Sequence, residues 1–322
     1  MTTYRHQLPQ LQQRLFLTDG GIETYFVFQE GRALPYFAAF DLLRSEEGKA
    51  ALAAYYERYI VIARENGAGF ILESATWRAS MDWADKMGID AAELANINRE
   101  AIALLAALRR RHESAHSPMT ISGCVGPRGD GYQPGALMSV DEAAAYHAAQ
   151  IRIFSTTEAD MISAVTMTNA SEAIGVALAS SDAGMPCAIS FTVETDGALP
   201  TGQSVREAII AVDAATGGAP AYYMLNCAHP SHFEAMLEKG GAWTKRIKGL
   251  RCNASTKSHA ELDEATSLDA GDAAQLGRDY ARLASLTPSL SIFGGCCGTD
   301  HTHVAHICRE VRDAEGARFA AE

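Results

Sequence analysis

Short apolar runs alternate with longer amphipathic stretches along the whole chain. Each run is followed by a Gly-rich or polar segment and then by apolar residues at helical spacing, as at Leu94, Ile97 and Ala101. The runs predict eight strands, at residues 15–18, 69–73, 120–124, 161–166, 187–193, 222–226, 249–252 and 289–293. The amphipathic stretches predict helices at residues 47–66, 91–112, 139–158, 172–183, 204–216, 230–238, 272–284 and 301–314.

Eight strand–helix units in a chain of 322 residues predict an α/β fold, a (β/α)₈ TIM barrel. The alternative is a doubly wound open sheet, but the Gly-x-Gly-x-x-Gly signature is absent after the first strand. No Pro- or Ser-rich linker divides the chain, so we expect a single domain over residues 1–322. A barrel carries its active site at the carboxyl ends of its strands, where polar and Gly-rich residues cluster here.

The composition and net charge of the chain argue against some classes of binding partner. The chain is 48% hydrophobic and 20% charged, with a formal net charge of −12 and no basic run, which argues against binding of nucleic acid or an anionic membrane. No apolar stretch is long enough to span a bilayer, and residues 1–13 lack the apolar core of a signal peptide. We therefore expect a cytoplasmic protein with reduced thiols that acts on small molecules; an oligomer remains open.

The seven cysteines do not have the number or spacing of a disulfide framework. Four of them lie inside or beside apolar segments and are expected to be buried core thiols, namely Cys124, Cys187, Cys252 and Cys308. The other three follow the sixth and eighth predicted strands, at Cys227, Cys296 and Cys297.

The segment Gly294-Gly295-Cys296-Cys297-Gly298-Thr299 has glycine on both sides of two adjacent cysteines. Neighbouring side chains on a strand point to opposite faces, but glycine lets the backbone leave strand geometry so that both sulfurs turn to one point. With Cys227, three thiolates predict a zinc site that keeps one coordination position open. The alternatives are a closed structural zinc site, a redox Cys296–Cys297 pair, and simple buried thiols; the fourth ligand of a closed site would come from His229, His301 or His303.

Together with Asp19-Gly20-Gly21 and Asn226-Cys227, the glycine–cysteine segment resembles the homocysteine S-methyltransferase family, in matching order over nearly the whole chain. The resemblance implies a (β/α)₈ barrel, a zinc ion held by Cys227, Cys296 and Cys297 as catalytic ligands, and a place in methionine biosynthesis. It also implies methyl transfer to homocysteine or a similar small thiol, from a donor such as S-methylmethionine, S-adenosylmethionine or betaine. Asp19 would hold the amino end of the acceptor.

One position departs from the family pattern. Val165 stands where family members usually carry the glutamate that binds the acceptor's amino group, and a valine cannot pair with an ammonium. Glu194, after the fifth strand, and Glu73, at the end of the second, are the candidates to replace it. The other substrate-binding candidates are the strand-end residues Gly20, Gly21, Thr76 and Asn226.

The residue types suit thiol alkylation. A free thiol has a pKa of roughly 8.5, and zinc binding expels its proton to leave the nucleophilic thiolate. A sulfonium donor leaves as a neutral thioether, so no general acid is needed, and its cation favours aromatic faces. The aromatic candidates at loop positions are Tyr25, Phe26, Trp77 and Tyr132. The functional alternatives are a different thiol acceptor, and a zinc-binding or redox barrel without methyl transfer.

Overall fold

A computed structural model describes residues 3–12 and 14–319, with side chains up to residue 314. Met1, Thr2, Gln13 and residues 320–322, which include both ends of the expected domain, lie outside the described residues. Eight parallel strands close a barrel in chain order, with β1 paired to both β2 and β8. The predicted (β/α)₈ TIM barrel is confirmed, and the open-sheet alternative is wrong.

All eight predicted strands are present, with shifted ends. Two of them have the predicted bounds, whereas the first shortens to two residues and the last moves toward the cysteines. The strands are β1 Phe16–Leu17, β2 Gly69–Glu73, β3 Met119–Val125, β4 Met161–Met167, β5 Cys187–Phe191, β6 Tyr222–Asn226, β7 Ile247–Cys252 and β8 Ile292–Gly295.

The eight predicted helices are also present, one after each strand. They are α1 Glu46–Glu65, α2 Ala91–His112, α3 Val140–Ser155, α4 Ala170–Asp182, α5 Val205–Thr216, α6 Pro230–Lys239, α7 Ala273–Leu286 and α8 His301–Phe319. Several short helical segments in the loops were not predicted: Pro9–Leu11, Ile22–Thr24, Tyr25–Gln29, Pro35–Phe37, Ala39–Arg44, Met81–Lys86, Ala242–Arg246 and His259–Asp263. They are too short for a periodic pattern to show.

Helix starts follow the side chains that can cap them. Ser204 accepts a hydrogen bond from the amide of Glu207 while the Glu207 carboxylate accepts one from the amide of Ser204, which forms a capping box at the start of α5. Ser139 and Glu142 form the same reciprocal pair at the start of α3. These local bonds fix where the two helices begin.

An apolar cluster fills the interior of the barrel near the beginnings of its strands. Phe16, Met161, Tyr222 and Ile292 each occupy the first position of a strand, and all are buried together. A larger apolar core packs between the strands and the surrounding helices. Because this end of the barrel is closed, a cavity can open only at the carboxyl ends of the strands.

The four cysteines assigned to the core are all buried, as predicted: Cys124, Cys187, Cys252 and Cys308. Among the described helices, none has both the length and the apolar character needed to cross a bilayer.

Candidate metal centre and substrate pocket

A cavity of about 420 Å³ opens at the carboxyl ends of the strands. Residues at or just beyond the ends of most strands line it, so it lies where a barrel of this kind carries its active site. Its wall includes Asp19, Glu73, Cys124, Val165, Cys227, Arg251 and Cys296.

The three predicted cysteines meet in this cavity. The sulfurs of Cys227, Cys296 and Cys297 all lie within 4.8 Å of one another. Cys227 and Cys296 are joined as a disulfide, with their Cα atoms 5.4 Å apart, whereas Cys297 is not in a disulfide. The bonded pair differs from the Cys296–Cys297 pair of the redox alternative. The partners are 69 residues apart, so only the closure of the barrel brings them together.

Cys227 is held by a turn directly after β6. Its φ is 53°, in the left-handed region that residues with a side chain rarely adopt. Its amide donates to the carbonyl of Arg251 at 3.1 Å. The carbonyl of Cys227 accepts a hydrogen bond from Nε2 of His259 at 2.8 Å. These bonds aim the sulfur toward the end of β8.

Glycine acts at the cysteine pair in a different way from the one predicted. Gly294 and Gly295 remain in β8, which ends before Cys296, and the turn that follows contains Gly298, whose φ is 80°. Gly21 is needed for close approach, because a Cβ there would lie 2.5 Å from the carbonyl oxygen of Cys296. The turn after the cysteines and the β1 loop therefore fix the pair jointly.

The sulfur cluster fits a zinc ion by the chemistry of its donors, once the disulfide is reduced. Three thiolates with an open fourth position are typical of a catalytic rather than a structural zinc site. In the described part of the chain no histidine joins the cluster. The described lining of the cavity includes neither His229 nor His303, so neither lies where it could be the fourth ligand of a closed site. His301 lies outside the cavity wall as well.

Tyr132 contacts the cluster directly. Its hydroxyl donates to the sulfur of Cys297 at 3.4 Å, and its ring stacks on that of His259 with centroids 3.9 Å apart. Burial raises the pKa of the Cys297 thiol to about 11, and the hydrogen bond from Tyr132 opposes that rise. The sequence indicated Tyr132 as an aromatic face but carried no signal for the sulfur bond or for His259.

A buried ion-pair cluster forms the floor of the cavity. The guanidinium of Arg251 donates to Asp19 at 2.7 Å and to Glu73 at 2.8 Å. Burial, opposed by Arg251, raises the pKa of Asp19 to about 6. Burial would lower the pKa of Arg251, but Asp19 and Glu73 hold it above its usual value. Sequence reasoning missed Arg251, although a charged residue within the apolar run of β7 was a usable signal.

The remaining predicted substrate residues divide into two groups. Gly20 and Gly21 line the cavity beside Asp19. Thr76, Asn226 and Glu194 do not; they lie behind its wall. Thr76 donates to the carbonyl of Cys124, Asn226 donates to the hydroxyl of Thr166, and Glu194 contacts Nδ1 of His259 at 2.9 Å.

The aromatic candidates divide in the same way. Trp77 and Tyr132 line the cavity, whereas Tyr25 and Phe26 are buried in the core between barrel and helices. Val165 lies in the cavity wall and is buried, so the strand end where an acid was expected is apolar. Glu23, which sequence reasoning did not single out, also lines the cavity, and burial raises its pKa to about 7.

The closed barrel and the three sulfurs at its mouth define a barrel enzyme with a candidate thiolate metal centre. A model of the homocysteine S-methyltransferase family matches residues 16–311. The chain therefore belongs to this family of methyltransferases, and the resemblance seen in the sequence is confirmed.

Solved structures share the fold. The oxidized form of the homocysteine methyltransferase MmuM from Escherichia coli is 19% identical, covers 95% of this chain and 99% of its own, and has a TM-score of 0.74. Its metallated form is 18% identical over 94% of this chain and 98% of its own, with a TM-score of 0.71. No curated protein matches the sequence significantly.

Proposed function

We propose that this chain is a zinc-dependent S-methyltransferase that methylates homocysteine or a similar small thiol. The donor is a sulfonium or ammonium compound, of the class of S-methylmethionine, S-adenosylmethionine or betaine, and the product would enter methionine biosynthesis. The observation that supports this most is the meeting of three cysteine sulfurs within 4.8 Å at the mouth of the barrel. Family membership supports the reaction class.

Zinc, when bound, supplies a coordination position at which an acceptor thiol loses its proton near neutral pH. Cys227, Cys296 and Cys297 would hold it, and their three negative charges leave electron density on the acceptor sulfur. Tyr132, which donates to the sulfur of Cys297, orients that ligand. Trp77 offers a ring face in the cavity wall to a cationic donor.

Methyl transfer at this site balances without an acid–base pair. The bond from the acceptor sulfur to the methyl carbon forms as the bond from that carbon to the donor sulfur or nitrogen breaks. The leaving group keeps the electron pair and departs as a neutral thioether or amine, and the thiol proton passes to solvent. The task of the protein is to hold the methyl group in line with the acceptor sulfur and to exclude water.

The proposed activity requires that the Cys227–Cys296 disulfide be reduced. Cys227 and Cys296 can both be ligands only after reduction. MmuM has been solved in an oxidized and in a metallated form, which supports the same pair of states here. We expect the oxidized protein to be inactive and the reduced, zinc-loaded protein to be active.

Reduced, zinc-loaded protein should be incubated with homocysteine and each donor class, and methylated products followed by mass spectrometry. Cys297→Ser is expected to lose zinc binding and product formation together, because it removes one of three metal ligands. Cys187→Ser is the matched control, since Cys187 is buried at the start of β5 and should leave both unchanged.

Full turnover in Cys297→Ser would contradict the proposal. A second candidate function, a zinc-binding or redox barrel without methyl transfer, is favoured by the Cys227–Cys296 disulfide. It predicts reversible zinc release on oxidation and no methylated product from any sulfonium or ammonium donor.

A further inference from the structure

Glu73 has one carboxylate oxygen without a partner. The residue is buried at the end of β2 and lines the cavity. Its Oε2 accepts a hydrogen bond from Arg251 at 2.8 Å, but in the described structure its buried Oε1 accepts none. Buried polar atoms are rarely left without a partner, so an orphaned acceptor in a cavity wall indicates a donor supplied by a ligand.

Glu23 is a second carboxylate in the same wall, in the short helical segment Ile22–Thr24 after β1. Among the described residues no basic side chain forms an ion pair with it, although the charges of Arg78 and Arg251 lower its pKa against the larger effect of burial. The charges of Glu23 and Glu73 act on the same neighbours, since both raise the pKa of the Tyr56 hydroxyl and of the Cys124 thiol. Glu23 also acts on the thiol of Cys297. The two carboxylates and the sulfur cluster therefore face one space.

The other acidic groups in the cavity wall either already have a bonding partner or are exposed. Asp19 is bonded to Arg251 and to the hydroxyl of Tyr55, and Asp130 to Arg78. Asp269 accepts from the hydroxyl of Ser255, and Asp263 is exposed.

The β4 wall contributes the apolar Val165 and therefore no charge. Apart from the exposed Asp263, the carboxylate oxygens left for a cationic ligand in the described wall are those of Glu23 and Oε1 of Glu73.

We infer that Glu23 and Oε1 of Glu73 form an ammonium subsite, which holds the α-ammonium of an amino-acid ligand while its sulfur reaches the cysteine cluster. This inference rests on the proposed function and names the residues that select the ligand. An ammonium donates up to three hydrogen bonds, and each bond to a carboxylate is charge-assisted. The thiol acceptor and a sulfonium amino-acid donor share this ammonium, so the experiment must separate them.

The test compares ligands with and without the amino group. Dissociation constants are measured by calorimetry on reduced, zinc-loaded protein, for homocysteine against 4-sulfanylbutanoate and for S-methylmethionine against its deaminated sulfonium. We expect the wild type to prefer the amino form of one pair by about 10- to 100-fold, the range for a hydrogen bond between charged groups. If the glutamate variants lose the preference within the thiol pair, the subsite belongs to the acceptor. If they lose it within the sulfonium pair, the subsite belongs to the donor.

Glu23→Gln should reduce the preference about ten-fold while leaving the affinity of the deaminated ligand unchanged. Glu73→Gln also alters the bond to Arg251 and should likewise reduce the preference for the amino form of the ligand. Glu46→Gln is the matched control, because the Glu46 side chain is exposed at the start of α1. Thermal melting checks that each variant is folded.

The outcomes separate the inference from the function on which it rests. If the wild type binds these ligands but neither variant changes the preference, the ammonium subsite is overturned and the methyltransferase proposal stands. If no thiol and no sulfonium binds the zinc-loaded wild type, the proposed function fails, and the subsite fails with it.

Discussion

Two buried arginine–carboxylate clusters lie at opposite ends of the barrel and differ in one respect. At the closed end, Arg109 of α2 donates to Asp160, directly before β4, at 2.6 Å. Asp160 also accepts the backbone amides of Thr3, Tyr4 and Ile121 at 3.0, 2.8 and 2.9 Å. Every oxygen of this carboxylate is used, and the cluster ties the amino-terminal segment, α2 and β3 to β4.

At the mouth, Arg251 joins Asp19 and Glu73 in a similar arrangement, but no group of the described residues donates to one buried oxygen of Glu73. The neighbouring Glu23 forms no ion pair among the described side chains, although the charges of Arg78 and Arg251 act on it. A buried acceptor that is left open destabilises the folded protein unless a ligand completes it. The comparison indicates that the closed end is built for stability and the mouth for binding.

The largest expected effect is a difference in folding stability between substitutions in the two clusters. Asp160→Asn should lower the free energy of unfolding by about 3 kcal/mol, because Arg109 is left buried without a counter-charge. Glu73→Gln should cost about 1 kcal/mol or less, since Asp19 still neutralises Arg251 and one oxygen made no bond. Denaturant unfolding of the two variants measures both values. Equal losses would remove the distinction between the two ends.

A smaller effect is expected at the sulfur cluster. Tyr132→Phe removes the hydroxyl that donates to Cys297 while keeping the ring stacked on His259. Zinc affinity, measured by competition with a chromophoric chelator, should fall about ten-fold, the lower end for loss of a bond to a metal ligand. Tyr146→Phe is the control, because its hydroxyl contacts Ser80 rather than a sulfur. Unchanged affinity in Tyr132→Phe would show that the bond does not support the metal site.

The smallest expected effect concerns pH. Burial raises the pKa of Glu23 to about 7, so its favourable contribution to folding is present below its unfolded pKa and is lost as pH rises through about 7. Glu23→Gln has no such loss. The free energy of unfolding of this variant should therefore rise relative to that of the wild type by about 1 kcal/mol between about pH 5 and about pH 8. The change is small because the side chain is partly exposed.

Melting temperatures of the ligand-free wild type and of Glu23→Gln at both pH values test this expectation. A difference that is constant with pH would show that Glu23 is solvated like a surface carboxylate.

Much of the fold was predictable because its signals are local. Apolar runs of strand length and helical spacing arise from residues close in the chain, and β2, β6 and α2 have the predicted bounds. The short loop helices were missed because three to six residues carry no period. The three cysteines were found since each follows a strand, and parallel strands of a barrel end at one face.

The charged part of the site was not predictable in the same way. Arg251 meets Glu73 across 178 residues and Asp19 across 232 residues, and no local pattern relates them. Glu194 was a reasonable candidate by position after β5, but its carboxylate contacts His259 behind the cavity wall. Glu23 passed unnoticed because it follows the Asp-Gly-Gly segment in a loop.

The order of the residues was thus sufficient for the strand–helix alternation, the barrel and the identity of the three sulfur donors. Closure of the barrel decided the rest: which two cysteines are bonded, which carboxylates are neutralised by Arg251, and which oxygen remains open. The physical reason is the separation along the chain between the residues that determine each property. Periodicity depends on neighbours in the chain, whereas ion pairing and burial depend on side chains that only the closed sheet brings together.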